Sequence, residues 1–206
     1  MRPMNRRRLL LAAVGCGLVP GLGCARRQPA IAPTAQDAYR RPQIVISALA
    51  LRPGDHVAEI GAGGGYLTRH LAAAVGPSGR IVATDIDDEA LAALALRCRD
   101  EGLRQVLPRR VAANDPGLEA AAFDLILLAH VDHLLPDRAA YLRMLPRALR
   151  SAQRSRIVVS NRESHRAGLL AAAVDAGLQI EPPPSPPDLP GQYLVTLRPA
   201  SPGPKR

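Results

Sequence analysis

The chain has 206 residues, 47% of them hydrophobic, which suits one globular domain with tails and excludes a disordered chain. Aromatic residues make up 2% and Trp is absent, which argues against a stacking platform for single-stranded nucleic acid. The formal charge of +9 is concentrated at the front: the first 41 residues hold eight arginines and one aspartate, the remainder nineteen basic and seventeen acidic groups, so no nucleic-acid partner is expected.

Residues 1–23 read as an export signal, with a basic stretch at Arg6, Arg7 and Arg8, an apolar stretch over 9–22, and the small-residue site Gly23-Cys24. The run Asn5-Arg6-Arg7-Arg8-Leu9-Leu10 resembles a twin-arginine signal, and Gly21-Leu22-Gly23-Cys24 resembles a bacterial lipoprotein processing site, which makes Cys24 a candidate lipid anchor. Gly15, Gly17, Pro20 and Gly21 interrupt the apolar stretch, which is too short for a comfortable membrane span. The expected location is therefore exported or envelope-anchored, with a cytoplasmic protein carrying an uncleaved segment as the alternative. Residues 24–38 read as a linker and 199–206 as a disordered tail, leaving 39–198 for the folded domain. Once the front is processed only Cys98 remains, on an apolar helical pattern, so no disulfide framework is expected.

Within the domain, short apolar runs alternate with longer amphipathic ones. A leading helix is expected over 42–51, then a strand over 56–60, a helix over 66–75 and a strand over 80–84. A helix over 89–101 and a strand over 105–111 follow, with Pro108 marking an irregular strand start. The near-continuous apolar run 123–129 reads as a strand buried on both faces. A helix over 137–149, a strand over 156–160 and a helix over 164–176 come next, and two strands, 178–181 and 192–198, close the domain. The alternation predicts an α/β fold with a mostly parallel sheet and helices on both faces. The last two strands are joined by a proline-rich loop instead of a helix, which predicts an antiparallel strand inserted at the end.

Between the first strand and its helix lies Glu59-x-Gly61-x-Gly63-x-Gly65. A glycine turn before a helix N-terminus lets backbone N–H groups approach a ligand closely. The dinucleotide fingerprint Gly-x-Gly-x-x-Gly places its third glycine where this chain has Tyr66, which disfavours an NAD-dependent oxidoreductase. The motif resembles the first motif of class I S-adenosylmethionine-dependent methyltransferases. That resemblance implies a Rossmann-like sheet of seven strands with a reversed last strand, and S-adenosyl-L-methionine as cofactor. It places Glu59, Gly61, Ala62, Gly63, Gly65 and Tyr66 around the amino-acid part of the cofactor. Glu59 would orient the loop and meet the ligand ammonium directly or through water.

Asp85, 24 residues beyond Gly61 at the end of the second strand, suits both ribose hydroxyls, with Ile86 beside it. Asp87 and Asp88 read as first-turn acids of the next helix. After the third strand the resemblance implies a polar contact to adenine, from Asn114 or Asp115. After the fourth, His130 would border the cofactor, and His133 is the candidate general base or acceptor contact. His130 and His133 lack a visible third ligand, so no metal is expected.

The similarity extends to Arg41-Pro42, the turn at 75–79, Asp115-Pro116 and Leu189-Pro190-Gly191-Gln192-Tyr193, which resemble an uncharacterised subgroup with a lipoprotein-like signal. It departs at Arg150-Ser151-Ala152-Gln153, where a proline-glycine-glycine turn is common, and before Phe123-Asp124, which lacks the usual glycine-rich lead-in. The expected function is methyl transfer to a small-molecule acceptor of unspecified class. An exported ligand-binding module with little turnover is the alternative.

Overall fold

Seven Val-, Ile- and Leu-rich runs form one sheet in the order β3-β2-β1-β4-β5-β7-β6. The strands are β1 (His56–Ile60), β2 (Arg80–Asp85), β3 (Val106–Arg110), β4 (Leu125–Ala129), β5 (Arg156–Arg162), β6 (Leu178–Glu181) and β7 (Gln192–Pro199). The helices are α1 (Asp37–Arg40), α2 (Pro42–Ala48), α3 (Thr68–Val75), α4 (Asp88–Asp100), α5 (Arg138–Met144) and α6 (Arg166–Asp175). This computed structural model describes residues 37–151, 153–181 and 188–200. The signal-like segment 1–23, Cys24, most of the linker and residues 201–206 lie outside the described residues. Among those described, no helix is long and apolar enough to cross a membrane.

Side chains alternate across the sheet, so each strand feeds two cores. Val57, Ile81, Leu125, Leu127 and Val158 pack with Val45 of α2, Leu71 and Val75 of α3, and Leu94 of α4. Ala58, Val82, Ile126, Leu128, Ile157 and Val159 pack on the other face with Leu142 of α5 and Leu169 of α6. The central strands are apolar on both faces because helices cover both.

β1, β2, β3, β4 and β5 pair in parallel, and β7 runs antiparallel to both β5 and β6. β7 is the one reversed strand, as the missing crossover helix requires. Several element ends differ from expectation for local reasons. α3 starts at Thr68, because Tyr66 still belongs to the glycine turn. α5 stops at Met144, where Pro146 removes an N–H, and a 3₁₀ turn (Leu145–Ala148) follows. Phe123 lies outside β4, in an isolated bridge to Leu149. Pro108 sits in mid-strand, which β3 tolerates as an edge strand whose outer side needs no donor. β5 continues to Arg162, because pairing of Arg162 with Gln192 extends its ladder to β7.

Candidate functional site

The carboxyl ends of β1, β2 and β4 converge on one cleft of about 220 Å³, at the switch point between β1 and β4. Its floor is Ile60, Gly61, Thr84 and Asp85, and its far wall His130 and Val131. The three motif glycines serve different ends. A Cβ on Gly61 would fall 2.5 Å from Val131 Cγ2, and one on Gly65 would fall 2.4 Å from Leu94 Cδ1, so both positions are closed by protein. Gly63 has a φ of +53°, which a side chain adopts only under strain, yet a Cβ there would meet nothing within 4 Å. The loop therefore leaves an open cradle above Gly63.

Asp85 holds that cradle in place. Its Oδ2 accepts the Gly63 N–H at 2.7 Å, and its Oδ1 accepts those of Ile86 at 2.7 Å and Asp87 at 3.0 Å. One lone pair on Oδ2 is left for a ligand hydroxyl, so a two-hydroxyl ribose contact needs one of these three N–H groups to release its bond. Asp87 instead caps α4, accepting from the Glu89 and Ala90 N–H groups.

Glu59 lies beneath the loop, 3% exposed, and accepts the Thr68 hydroxyl at 2.6 Å. Burial pushes its carboxyl up to about 7; the Thr68 bond opposes this, and the neighbouring Asp85 carboxylate adds to it. Its place is to tie β1 to the first turn of α3; a direct contact to a ligand ammonium is not what the structure offers. Tyr66 lines neither cavity described here: its hydroxyl donates to Asp37 at 2.6 Å and Arg40 stacks on its ring. Ala62 is buried in the core.

Ile86, 54% exposed, and Leu134, 69% exposed, form two apolar lips of the cleft, and Val111, Ala112 and Ala113 close its end. Asn114 and Asp115 do not line it. Asp115 accepts the Gly117 N–H at 2.9 Å, closing its own turn. In this loop it is the small residues just before Asn114 that reach the cleft. Leu134 and Tyr141 were not anticipated; an exposed leucine beside a predicted site was the available signal.

A second cavity of about 320 Å³ adjoins the first across His130, which lines both. Its other walls are Tyr39, Arg40, His133, Asn161, Arg162 and His165. His130 has a φ of +57°, unusual for a side-chain-bearing residue and of the kind found at functional turns. Burial, with the Arg40 guanidinium next, lowers its pKa, keeping the ring neutral.

Beneath this cavity lies a buried polar chain. Asp132 is fully buried and pairs with Arg138 Nη1 at 3.5 Å, while Arg138 Nε donates to the Asp132 carbonyl at 3.0 Å. Asn161 Nδ2 donates to Asp132 Oδ1 at 2.6 Å and meets His133 Nδ1 at 2.9 Å. The Asn161 amide is oriented independently, because its Oδ1 accepts the Arg162 N–H at 2.8 Å. His133 Nδ1 must then accept, which leaves its proton on Nε2. Burial and the stacked His165 ring, 4.1 Å away, hold the His133 pKa down, consistent with that neutral form. In this tautomer the remaining ring nitrogen of His133 is a donor, which suits the acceptor contact, of the two roles expected for it, better than the general base. Among the described residues no group of three or more His, Cys, Asp and Glu could hold a metal.

Residues 58–152 match a family model described as a methyltransferase domain. The chain is 32% identical over 99 residues to nocamycin O-methyltransferase of Saccharothrix syringae, covering 48% of this chain and 35% of that protein. It is 40% identical over 95 residues to a protein-L-isoaspartate O-methyltransferase of Methylorubrum populi, covering 46% of this chain and 42% of that one. The chain thus spans less than half the length of these two relatives. In fold it is similar to a SAM-dependent methyltransferase from Aquifex aeolicus, with a TM-score of 0.71 over 80% of this chain and 93% of that one at 18% identity. Residues 58–152 thus resemble a methyltransferase domain, and the seven-stranded sheet around them has the fold of a SAM-dependent methyltransferase of known structure.

Proposed function

We propose that the protein is an S-adenosylmethionine-dependent methyltransferase acting on a small-molecule acceptor. The observation that carries this is the cleft at the ends of β1, β2 and β4, lined by Asp85 and two apolar lips, beside a glycine loop that Asp85 holds and that leaves open space over Gly63. The residues suit the cofactor. Gly63, where an added Cβ would meet nothing, leaves room for its amino-acid part, Asp85 offers an acceptor to a ribose hydroxyl, and Ile86 and Leu134 flank the room for a flat base.

When bound, the cofactor supplies an activated sulfonium methyl that passes in line to the acceptor nucleophile, the S–C electron pair returning to sulfur. The chain contributes position and dryness. Glu59 and Thr68 brace the loop from below, Asp85 ties it to β2, and His130 stands between the cleft and the second cavity. An acceptor in that second cavity would face the methyl across His130, and neighbouring placement is the main contribution such a site makes to rate.

The two relatives are named for different acceptors, nocamycin and protein L-isoaspartate, and this chain covers less than half of either, so neither name transfers. Calorimetry of the purified chain against S-adenosylmethionine, S-adenosylhomocysteine and NAD tests the reading. Binding of the two sulfur ligands without NAD supports it; binding of NAD alone sinks it. We further propose, from residues 1–24, that the protein is exported and lipid-anchored at Cys24. Fractionation of a tagged chain that finds it wholly in the cytosol would refute this.

A further inference from the structure

The second cavity has a one-sided chemistry. Arg40 and Arg162 line it, and no ion pair among the described residues involves either guanidinium. Their neighbours are rings: Arg40 lies 5.2 Å over Tyr66 and Arg162 lies 5.6 Å over Tyr39. Such stacking orients a guanidinium and leaves its edge donors available. No carboxylate lines the cavity. The nearby acids are engaged elsewhere: Asp37 with the Tyr66 hydroxyl, Asp132 with Asn161 and Arg138, and Glu163 with Arg166.

The buried chain adds a third donor. Asp132 and the Arg162 N–H together fix the Asn161 amide, and the amide fixes His133 with its proton on Nε2. A doubly protonated His133 would set an N–H against the Asn161 amide hydrogens, so the ring is held as a neutral donor. Two guanidiniums and an imidazole N–H around one cavity, without an opposing acid, complement a negatively charged group.

We propose that this cavity is the acceptor site and that it takes an acceptor bearing a carboxylate or a phosphate, gripped by Arg40 and Arg162 with the His133 Nε2–H as third donor. This rests on reading the neighbouring cleft as the S-adenosylmethionine site. The anion fixes the acceptor's orientation, and the face of the cavity at His130 is where the reacting atom meets the cleft.

The test uses the full chain with 13C-labelled histidine, first without and then saturated with S-adenosylhomocysteine, titrated with benzoate, phenyl phosphate and the neutral analogue benzamide. The ring signals of His133 and His165 report the cavity. At least one anion should move both signals and bind about tenfold or more tighter than benzamide. In Arg40→Gln/Arg162→Gln that preference should vanish while S-adenosylhomocysteine affinity is retained. Whichever of the two anions binds tighter assigns carboxylate or phosphate. Equal binding of benzamide, anion binding that leaves His133 and His165 unmoved, no binding at all, or an unchanged preference in the double variant overturns the proposal. Failure to bind S-adenosylhomocysteine overturns the cofactor reading instead, and the titration without it still decides whether the cavity is an anion site.

Discussion

Replacing Gly63 by alanine separates a glycine kept for a ligand from one kept for the fold. The Cβ of Gly63→Ala would meet no atom within 4 Å, so its stability cost is the left-handed backbone alone. That is roughly 1–2 kcal/mol for an L-residue, partly offset by a stiffer unfolded chain, and corresponds to a fall of about 2–4 °C in Tm per kcal/mol. The added methyl occupies the space proposed for the cofactor, and such overpacking costs about 1–3 kcal/mol, or about tenfold to a hundredfold in Kd. Gly65→Ala is the contrast. Its Cβ lies 2.4 Å from Leu94 Cδ1, a fully buried side chain, at a φ of +82°. Strain and overpacking together should cost about 2–5 kcal/mol of stability. Urea unfolding gives the stabilities and calorimetry with S-adenosylhomocysteine gives Kd. If Gly63→Ala binds S-adenosylhomocysteine as tightly as the unaltered chain, the cradle is not where the cofactor lies.

Three other perturbations test the framework around that loop. Glu59 titrates near 7 when folded and near 4.5 when unfolded, so the folded state holds the extra proton between those values and stability falls as pH rises through that window, by about 3 kcal/mol. Glu59→Gln keeps the acceptor for Thr68 and should remove that slope; urea midpoints at pH 5 and pH 8 that fall equally in both proteins would contradict it. Asp132→Ala leaves Arg138 without its carboxylate beneath the second cavity and should cost about 3–5 kcal/mol in urea unfolding, whereas a loss under 1 kcal/mol would mean the pair is hydrated. Asp85→Ala should weaken S-adenosylhomocysteine about tenfold or more by calorimetry, while Asp87→Ala, removing only the α4 cap, should cost about 1 kcal/mol of stability and leave affinity alone.

Features carried by local patterning could be read from the sequence, and those set by distant pairing could not. The ends of β1 and β6 follow from short apolar runs bounded by turns, and the reversal of β7 follows from a proline-rich connection where a helix would be needed. The spacing from Glu59 to Gly65 and the acid at Asp85 were likewise visible, because both sit where a parallel strand ends. Asn161 and Arg162 were missed because β5 runs two residues longer than its own composition suggests, and its partner Gln192 is what extends it. The role of His133 turns on an amide 28 residues away, and no local pattern fixes a tautomer. Asn114 and Asp115 were natural choices for a polar contact, yet a glycine turn bends them past the cleft and leaves Ala112 and Ala113 at its edge. Five of the seven residues of the second cavity, Tyr39, Arg40, Asn161, Arg162 and His165, lie outside the matched stretch 58–152.

The reversed strand also bears on how the chain assembles. β7 must wedge between β5 and β6, bonding to both, and its partners on β5 lie 30 to 40 residues earlier. Until it does, β5 presents an open edge carrying Ile157, Val158 and Val159, all of which end fully or almost fully buried. An unpaired apolar edge of that kind invites pairing with another molecule. Refolding yield should therefore fall as protein concentration rises, with the loss confined to the interval before β7 closes the sheet.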